Sequence, residues 1–231
     1  MLQLTLEIKA NQFVQTSGQT GRQRGKILNM KKILAIIILG FICSKTVLAE
    51  SIEDFEIEGM SIGDSLLKTY SEKDIKKTIA KKQGYKDKSF VRGTIGSKDN
   101  QRSYKIRRDF DTYDAIQFHY KKKDPEYKLY MVSGIREYFD DIDSCNLEKS
   151  KIVKEFKSIF PDARTDSKKK PHPQDKTKKS IVYTDYFYFN DGSVARIQCY
   201  DWSKKMGYPD HLKVTMDHSE YVYWMKNKAW K

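Results

Sequence analysis

The chain lacks any apolar run of the ~18 residues that a membrane-spanning helix needs. Its longest, residues 33–42, holds ten. It also lacks the spacing D-x-x-H: the residues three before His119, His172, His211 and His218 are Ile116, Lys169, Tyr208 and Thr215. Cysteine is scarce, with three in 231 residues. Aromatics are not. At 13% they argue against a disordered chain, even with 32% of residues charged. The length suits one large domain, or two small ones that share a core. Lys and Arg outnumber Asp and Glu by 44 to 31, a formal charge of +13.

Much of that charge belongs to a leader. Met30-Lys31-Lys32 precedes the ten-residue apolar stretch, and Val47-Leu48-Ala49 precedes acidic Glu50. A basic start, a short apolar segment and small residues before the cut describe a secretory signal peptide over residues 30–49, cleaved after Ala49. Ten helical residues rise only about 15 Å, half of the bilayer core, so a retained anchor is the weaker reading. Cys43 follows Ile42 rather than the small residue that a lipoprotein signal places there, which argues against acylation. Residues 1–29 read as an extension upstream of Met30, as an early start codon would produce. Residues 1–49 carry seven basic residues and one acid, so the mature chain, 50–231, keeps 37 basic against 30 acidic, or +7. Nucleic acid is therefore not an expected partner.

Cleavage leaves Cys145 and Cys199, 54 residues apart. Disulfides form and persist outside the cytoplasm, so this pair is expected to be a crosslink. The alternative is a nucleophilic Cys199 working with His211.

Along the mature chain, Ser61-Ile62-Gly63-Asp64 resembles a capping box and predicts a short helix to Tyr70, with Ile62, Leu66 and Tyr70 on one side. Ser71-Glu72-Lys73-Asp74 signals a second start, continued by Ile75 and Ile79. Strands are expected over 89–95, 103–107, 115–120 and 127–139, the last two joined by a charged turn, 121–126. The 145–160 segment is the strongest helix, with a stripe of Leu147, Ile152, Val153, Phe156, Ile159 and Phe160 that ends at Pro161. A hydrophilic loop is expected over 165–180. Strands over 181–189 and 193–202 flank Asn190-Asp191-Gly192, a hairpin turn. A last strand, 212–216, meets a capping box at Asp217-His218-Ser219-Glu220 and a C-terminal helix bearing Tyr221, Trp224 and Met225. The order predicts a single α+β domain: an antiparallel sheet with helices packed on one face, in two loosely similar helix–meander halves, 50–143 and 144–231.

Gly63-Asp64-Ser65-Leu66 resembles the first block of GDSL-type esterases, whose serine is the nucleophile. That resemblance implies an esterase built on Ser65, but the family's D-x-x-H base and its G-x-N-D donor are missing, since Tyr188 stands where the glycine before Asn190-Asp191 should be. A helix N-terminal turn accounts for the same residues. Asp210-His211 and Asp217-His218 have metal-ligand chemistry, but loop polarity and helix capping explain them, and no metal or cofactor is expected. The acidic groups Asp109, Asp111, Asp114 and Asp140, Asp141, Asp143 lack the glycine and terminal glutamate of a calcium loop.

Lys168-Lys169-Lys170 with Lys176, Lys178 and Lys179 forms a basic cluster without interleaved aromatics. It is expected to be a solvated loop, and anionic membrane surface is its plausible contact outside the cytoplasm. Tyr183, Tyr186, Tyr188, Tyr200, Trp202 and Tyr208 concentrate near the expected crosslink and are the candidate binding surface, with core packing as the alternative.

The segment Phe55-Glu56-Ile57-Glu58-Gly59-Met60-Ser61-Ile62-Gly63-Asp64-Ser65-Leu66 resembles the opening of a family of small exported, signal-peptide-bearing proteins from marine alphaproteobacteria. Cys199-Tyr200-Asp201-Trp202 and Asp210-His211-Leu212-Lys213-Val214 are similar to its later part. The resemblance implies an envelope location and carries no functional residue. The expectation is a periplasmic, non-catalytic module that binds a ligand or an envelope protein through its aromatic sheet face.

Overall fold

The computed structural model describes residues 51–231 except Lys82 and Gln101. Residues 1–49, where an upstream extension and a signal peptide are expected, lie outside the described residues. A ribbon of β1 (Glu56–Ile57) and β2 (Met60–Ser61) precedes α1 (Glu72–Thr78). Next come β3 (Phe90–Ser97), β4 (Arg107–Arg108), β5 (Ala115–Lys121) and β6 (Leu129–Glu137). Helix α2 (Ile142–Ile159) leads into β7 (Arg164–Pro171), β8 (Ile181–Tyr188), β9 (Val194–Asp201) and β10 (His211–Asp217), and α3 (Ser219–Asn227) follows. Strands β3 to β10 make one sheet in the order β4-β3-β5-β6-β10-β9-β8-β7. Every pairing is antiparallel except β3 with β4.

The class is α+β, as the element order predicts. Each half is a helix followed by an antiparallel meander, to which the first half adds the short β4 parallel to β3 at the sheet edge, and the last strands of the two meanders, β6 and β10, pair at the centre from Met131↔Asp217 to Glu137↔His211. Successive residues of a strand point to opposite faces, so the registers sort the sheet. Ile95, Ile116, Phe118, Val132, Val214, Ile197 and Cys199 share the first face and are fully buried. Helices α1 and α2 cover it through Ile75, Cys145, Ile152 and Phe156. Helix α3 takes the second face, where Tyr221 and Trp224 pack on Phe90 and Met131, so the helices cover both faces and not the single face expected. Its stripe tells that the helix has an apolar side but not which side of the sheet receives it.

Asp141 caps α2 by accepting from the Ser144 amide at 3.0 Å. Cys145 in its first turn is bonded to Cys199 on β9, with Cα atoms 6.0 Å apart. The expected crosslink is therefore present, and both sulfurs are shielded from solvent. Among the described residues no helix is long and apolar enough to cross a membrane.

Four local expectations are corrected. Residues 61–70 do not form a helix: Gly63 has φ +84°, and the backbone of 63–66 bonds to Tyr127 and Leu129 instead, leaving a 3-10 turn at Leu66–Lys68. Asp64 still accepts from the Ser61 amide, so half of the capping box forms without its helix. The strand expected over 103–107 shrinks to Arg107–Arg108. Asp217 ends β10, and His218 caps α3 through Nδ1. Most consequentially, the expected loop 165–180 begins as a full strand, β7, which pairs with β8 over eight residues. An edge strand with charges on both sides shows no apolar alternation, so its pattern reads as loop.

Candidate functional site

The second face is built from the polar positions of the same strands. Tyr186 and Tyr188 on β8 project there and stack with ring centroids 5.7 Å apart. Tyr200 on β9 stacks on His211 at 4.5 Å and on Trp202 at 5.8 Å. Trp202 donates from Nε1 to His211 Nδ1 (3.2 Å) and lies 4.9 Å from Tyr208. Five of the six aromatics singled out in the sequence thus gather at two platforms. Tyr183 does not join them: it shares the first face with Asp185 and Phe187, packed against the core.

Between the platforms lie cations that the sequence reading passed over. Arg196 makes a two-point pair with Asp217, Nε to Oδ2 at 2.7 Å and Nη2 to Oδ1 at 3.0 Å. Lys213 donates to Gln117 Oε1 at 2.7 Å. Arg92, on β3, acts on the same region through its charge. Around them, Ser133 bonds Thr215 (2.9 Å), Gln198 donates to Thr184 (3.1 Å) and the Tyr200 hydroxyl donates to Gln198 (3.3 Å). Glu137, at the end of this face, pairs with Arg102 at 2.8 Å beside a cavity of about 570 Å³ that Tyr208 also lines. His119 lies under α3 with Nε2 3.3 Å from the Tyr85 hydroxyl, and its buried Nδ1 has no partner among the described residues.

Burial, then repulsion from Arg196 and Arg92, holds the Lys213 ammonium down to about 7, with Asp217 opposing. Burial also keeps the His119 imidazole well below its usual range and pulls His211 to about 4, so both rings are neutral near pH 7. The face is therefore a cationic, hydrogen-bonding floor between aromatic walls.

That floor makes stability depend on pH. The unfolded chain holds the Lys213 proton up to about 10.5, whereas the folded chain releases it near 7. Between those values the unfolded state binds more protons, so stability rises with pH. Urea titrations at pH 7 and pH 9 are expected to show the wild type gaining on Lys213→Met at the higher pH. A constant difference between the two proteins would contradict the burial of a charged Lys213.

Part of the lysine run belongs to this surface too, since Lys168 and Lys170 face it while Lys169 takes the first face, 5.0 Å from the Tyr183 ring. On β7 it lies beside the β8 tyrosines, with Arg164 4.0 Å from the Tyr188 ring and Lys168 5.3 Å from that of Tyr186. The aromatics absent from the lysine segment itself are supplied by the neighbouring strand.

The other candidates are committed elsewhere. Ser65 Oγ donates to the Glu126 carbonyl and accepts from the Leu67 amide, capping the 3-10 turn. Asp210 accepts from the Trp202 amide (2.7 Å), and Asp217 holds Arg196. His211 and His218 flank β10 at opposite ends. Among the described residues no three His, Cys, Asp or Glu side chains are grouped to hold a metal ion.

Polar positions in the alternations Gln117-Phe118-His119, Arg196-Ile197-Gln198 and Lys213-Val214-Thr215 were the available signal for the floor. Only the strand order, however, puts them side by side. Fold and site together define a disulfide-linked α+β domain with one polar, aromatic-walled sheet face. Comparison with protein-family models, with curated proteins and with solved structures finds no match.

Proposed function

We propose that residues 50–231 work in the periplasm as a non-catalytic binding module, exported by the signal over 30–49. The module takes an anionic ligand, or an acidic patch of an envelope protein, on its second sheet face. The observation that carries this reading is the placing of Arg196 and Lys213 together between the Tyr186–Tyr188 and Tyr200–Trp202 platforms. Cations can grip carboxylate or phosphate while tyrosine and tryptophan faces cover the flat parts of a ligand. The crosslink supports an oxidising compartment. The esterase alternative has a serine occupied in capping and, among the described residues, no base bonded to it.

Native mass spectrometry of the protein purified from the periplasm tests the reading. The wild type is expected to begin at Glu50 and to retain an acidic species that Lys213→Gln/Arg196→Gln loses. Equal retention by both proteins would refute the sheet face, a mature chain beginning before Glu50 would refute the cleavage site, and fluorophosphonate labelling of Ser65 would restore the esterase.

A further inference from the structure

A second cationic site lies at the other end of the sheet, where the β5–β6 hairpin meets α3. A cavity of about 690 Å³ opens there, within the few hundred to about a thousand Å³ typical of small-molecule sites. Phe90 and Trp224 form its floor, with ring centroids 4.9 Å apart, and Tyr223 stands at its side, 59% exposed. Five lysines surround it: Lys121, Lys122 and Lys123 from the hairpin, Lys88 from the approach to β3, and Lys228 just beyond α3.

The carboxylates nearby do not balance that charge. Glu220 is the one acidic residue in the lining and is held by Lys121 at 2.5 Å. Asp87, behind the floor, accepts from the Ser89 amide and from Trp224 Nε1 (2.7 Å). Asp124 accepts from the amides of Glu126 and Lys128. Lys88 is turned to the Tyr85 carbonyl. Lys122, Lys123 and Lys228 make no ion pair among the described residues. Lys122, Lys123 and Lys228 line one aromatic-floored cavity, with Lys228 5.7 Å from the Tyr223 ring and Asp87 the carboxylate its charge acts on, so an anion entering there meets more positive than negative charge.

We infer that this cavity is a binding site for a phosphate-bearing ligand. Its phosphate sits among Lys122, Lys123 and Lys228, and its organic part lies on Trp224 and Tyr223. Lysine is a point-charge phosphate donor, and the aromatic floor accepts the less polar remainder. The site is separate from the Arg196–Lys213 face: the registers set Arg196 and Lys213 level with Gln117 and Ala115 on β5, four and six residues along that strand from Lys121.

Two probes distinguish the source of the phosphate: glycerol 3-phosphate, followed by calorimetry, and phosphatidylcholine vesicles containing phosphatidylglycerol, followed by co-sedimentation. The wild-type domain is expected to bind at least one of them. Lys122→Gln/Lys123→Gln/Lys228→Gln should weaken that binding at least tenfold, and the exposed substitution Tyr223→Ala severalfold. Lys151→Gln/Lys154→Gln/Lys157→Gln, which removes the same charge from exposed positions of α2, should change it less than twofold. Binding of vesicles alone assigns the phosphate to a lipid headgroup; binding of glycerol 3-phosphate assigns it to a free phosphate ester. Failure of the wild type to bind either probe, or equal loss in both triple variants, would overturn the inference. Neither result bears on the Arg196–Lys213 face, whose variants are different.

Discussion

Replacing Cys145 and Cys199 together by alanine is expected to lower the unfolding free energy by about 4 kcal/mol. The bond closes a loop of 54 residues, and the chain-entropy account of such a loop gives that magnitude. For a domain of this size it corresponds to a fall in Tm of roughly 8–16 °C. Alanine is the informative replacement, because a serine hydroxyl buried at either site would add its own desolvation cost. The effect is architectural as well as entropic: the bond fastens the first turn of α2 to β9, the strand that presents Arg196 and Tyr200 on the opposite face. Urea unfolding of the oxidised wild type beside the double variant measures it. A difference below about 1 kcal/mol, or two titratable thiols in the native wild type, would contradict the crosslink's role.

Phe156→Ala is expected to cost a further 3–5 kcal/mol, roughly the range for emptying a well-packed phenylalanine site. The ring is fully buried and touches Phe55, Phe187 and Phe160 with centroids 4.9, 5.4 and 5.6 Å away. These partners come from the N-terminal segment, from β8 and from the end of α2, so no single shift can close the cavity left behind. Phe156→Leu keeps most of the volume and should cost less than about 2 kcal/mol. Equal small losses in both variants would show that α2 is held by its crosslink and not by packing. Phe187, on β8, lies between Tyr186 and Tyr188 in sequence, so a loosened α2 should also disturb the aromatic platform behind it.

Elements with a clear period were legible in the sequence. Ile116, Phe118 and Tyr120 do share the core face, and Gln117 and His119 do oppose them. The α2 stripe buries Ile152 and Phe156 as expected, although Leu147 ends 62% exposed. The crosslink followed from compartment and count.

What failed had physical causes outside any local window. β7 is polar on both sides because it is an edge, and the Gly63 turn yields to backbone bonds with a strand more than sixty residues away. The site was half legible. Tyrosines stand out in composition, whereas Lys213 and Arg196 look like ordinary solvent-facing positions of strands. Their meaning appears only when β10 and β9 pair and Gln117, two strands from β10, comes within reach of Lys213.

The claim that the second face is a cationic floor made for an anion is tested most directly by titrating the Lys213 side chain by NMR, with and without saturating citrate. The account predicts a midpoint near 7 in the free protein. It predicts an upward move of about one unit or more with citrate, because a bound anion offsets the repulsion from Arg196 and Arg92. A midpoint at the ordinary lysine value of 10.5 that citrate leaves unmoved would contradict it.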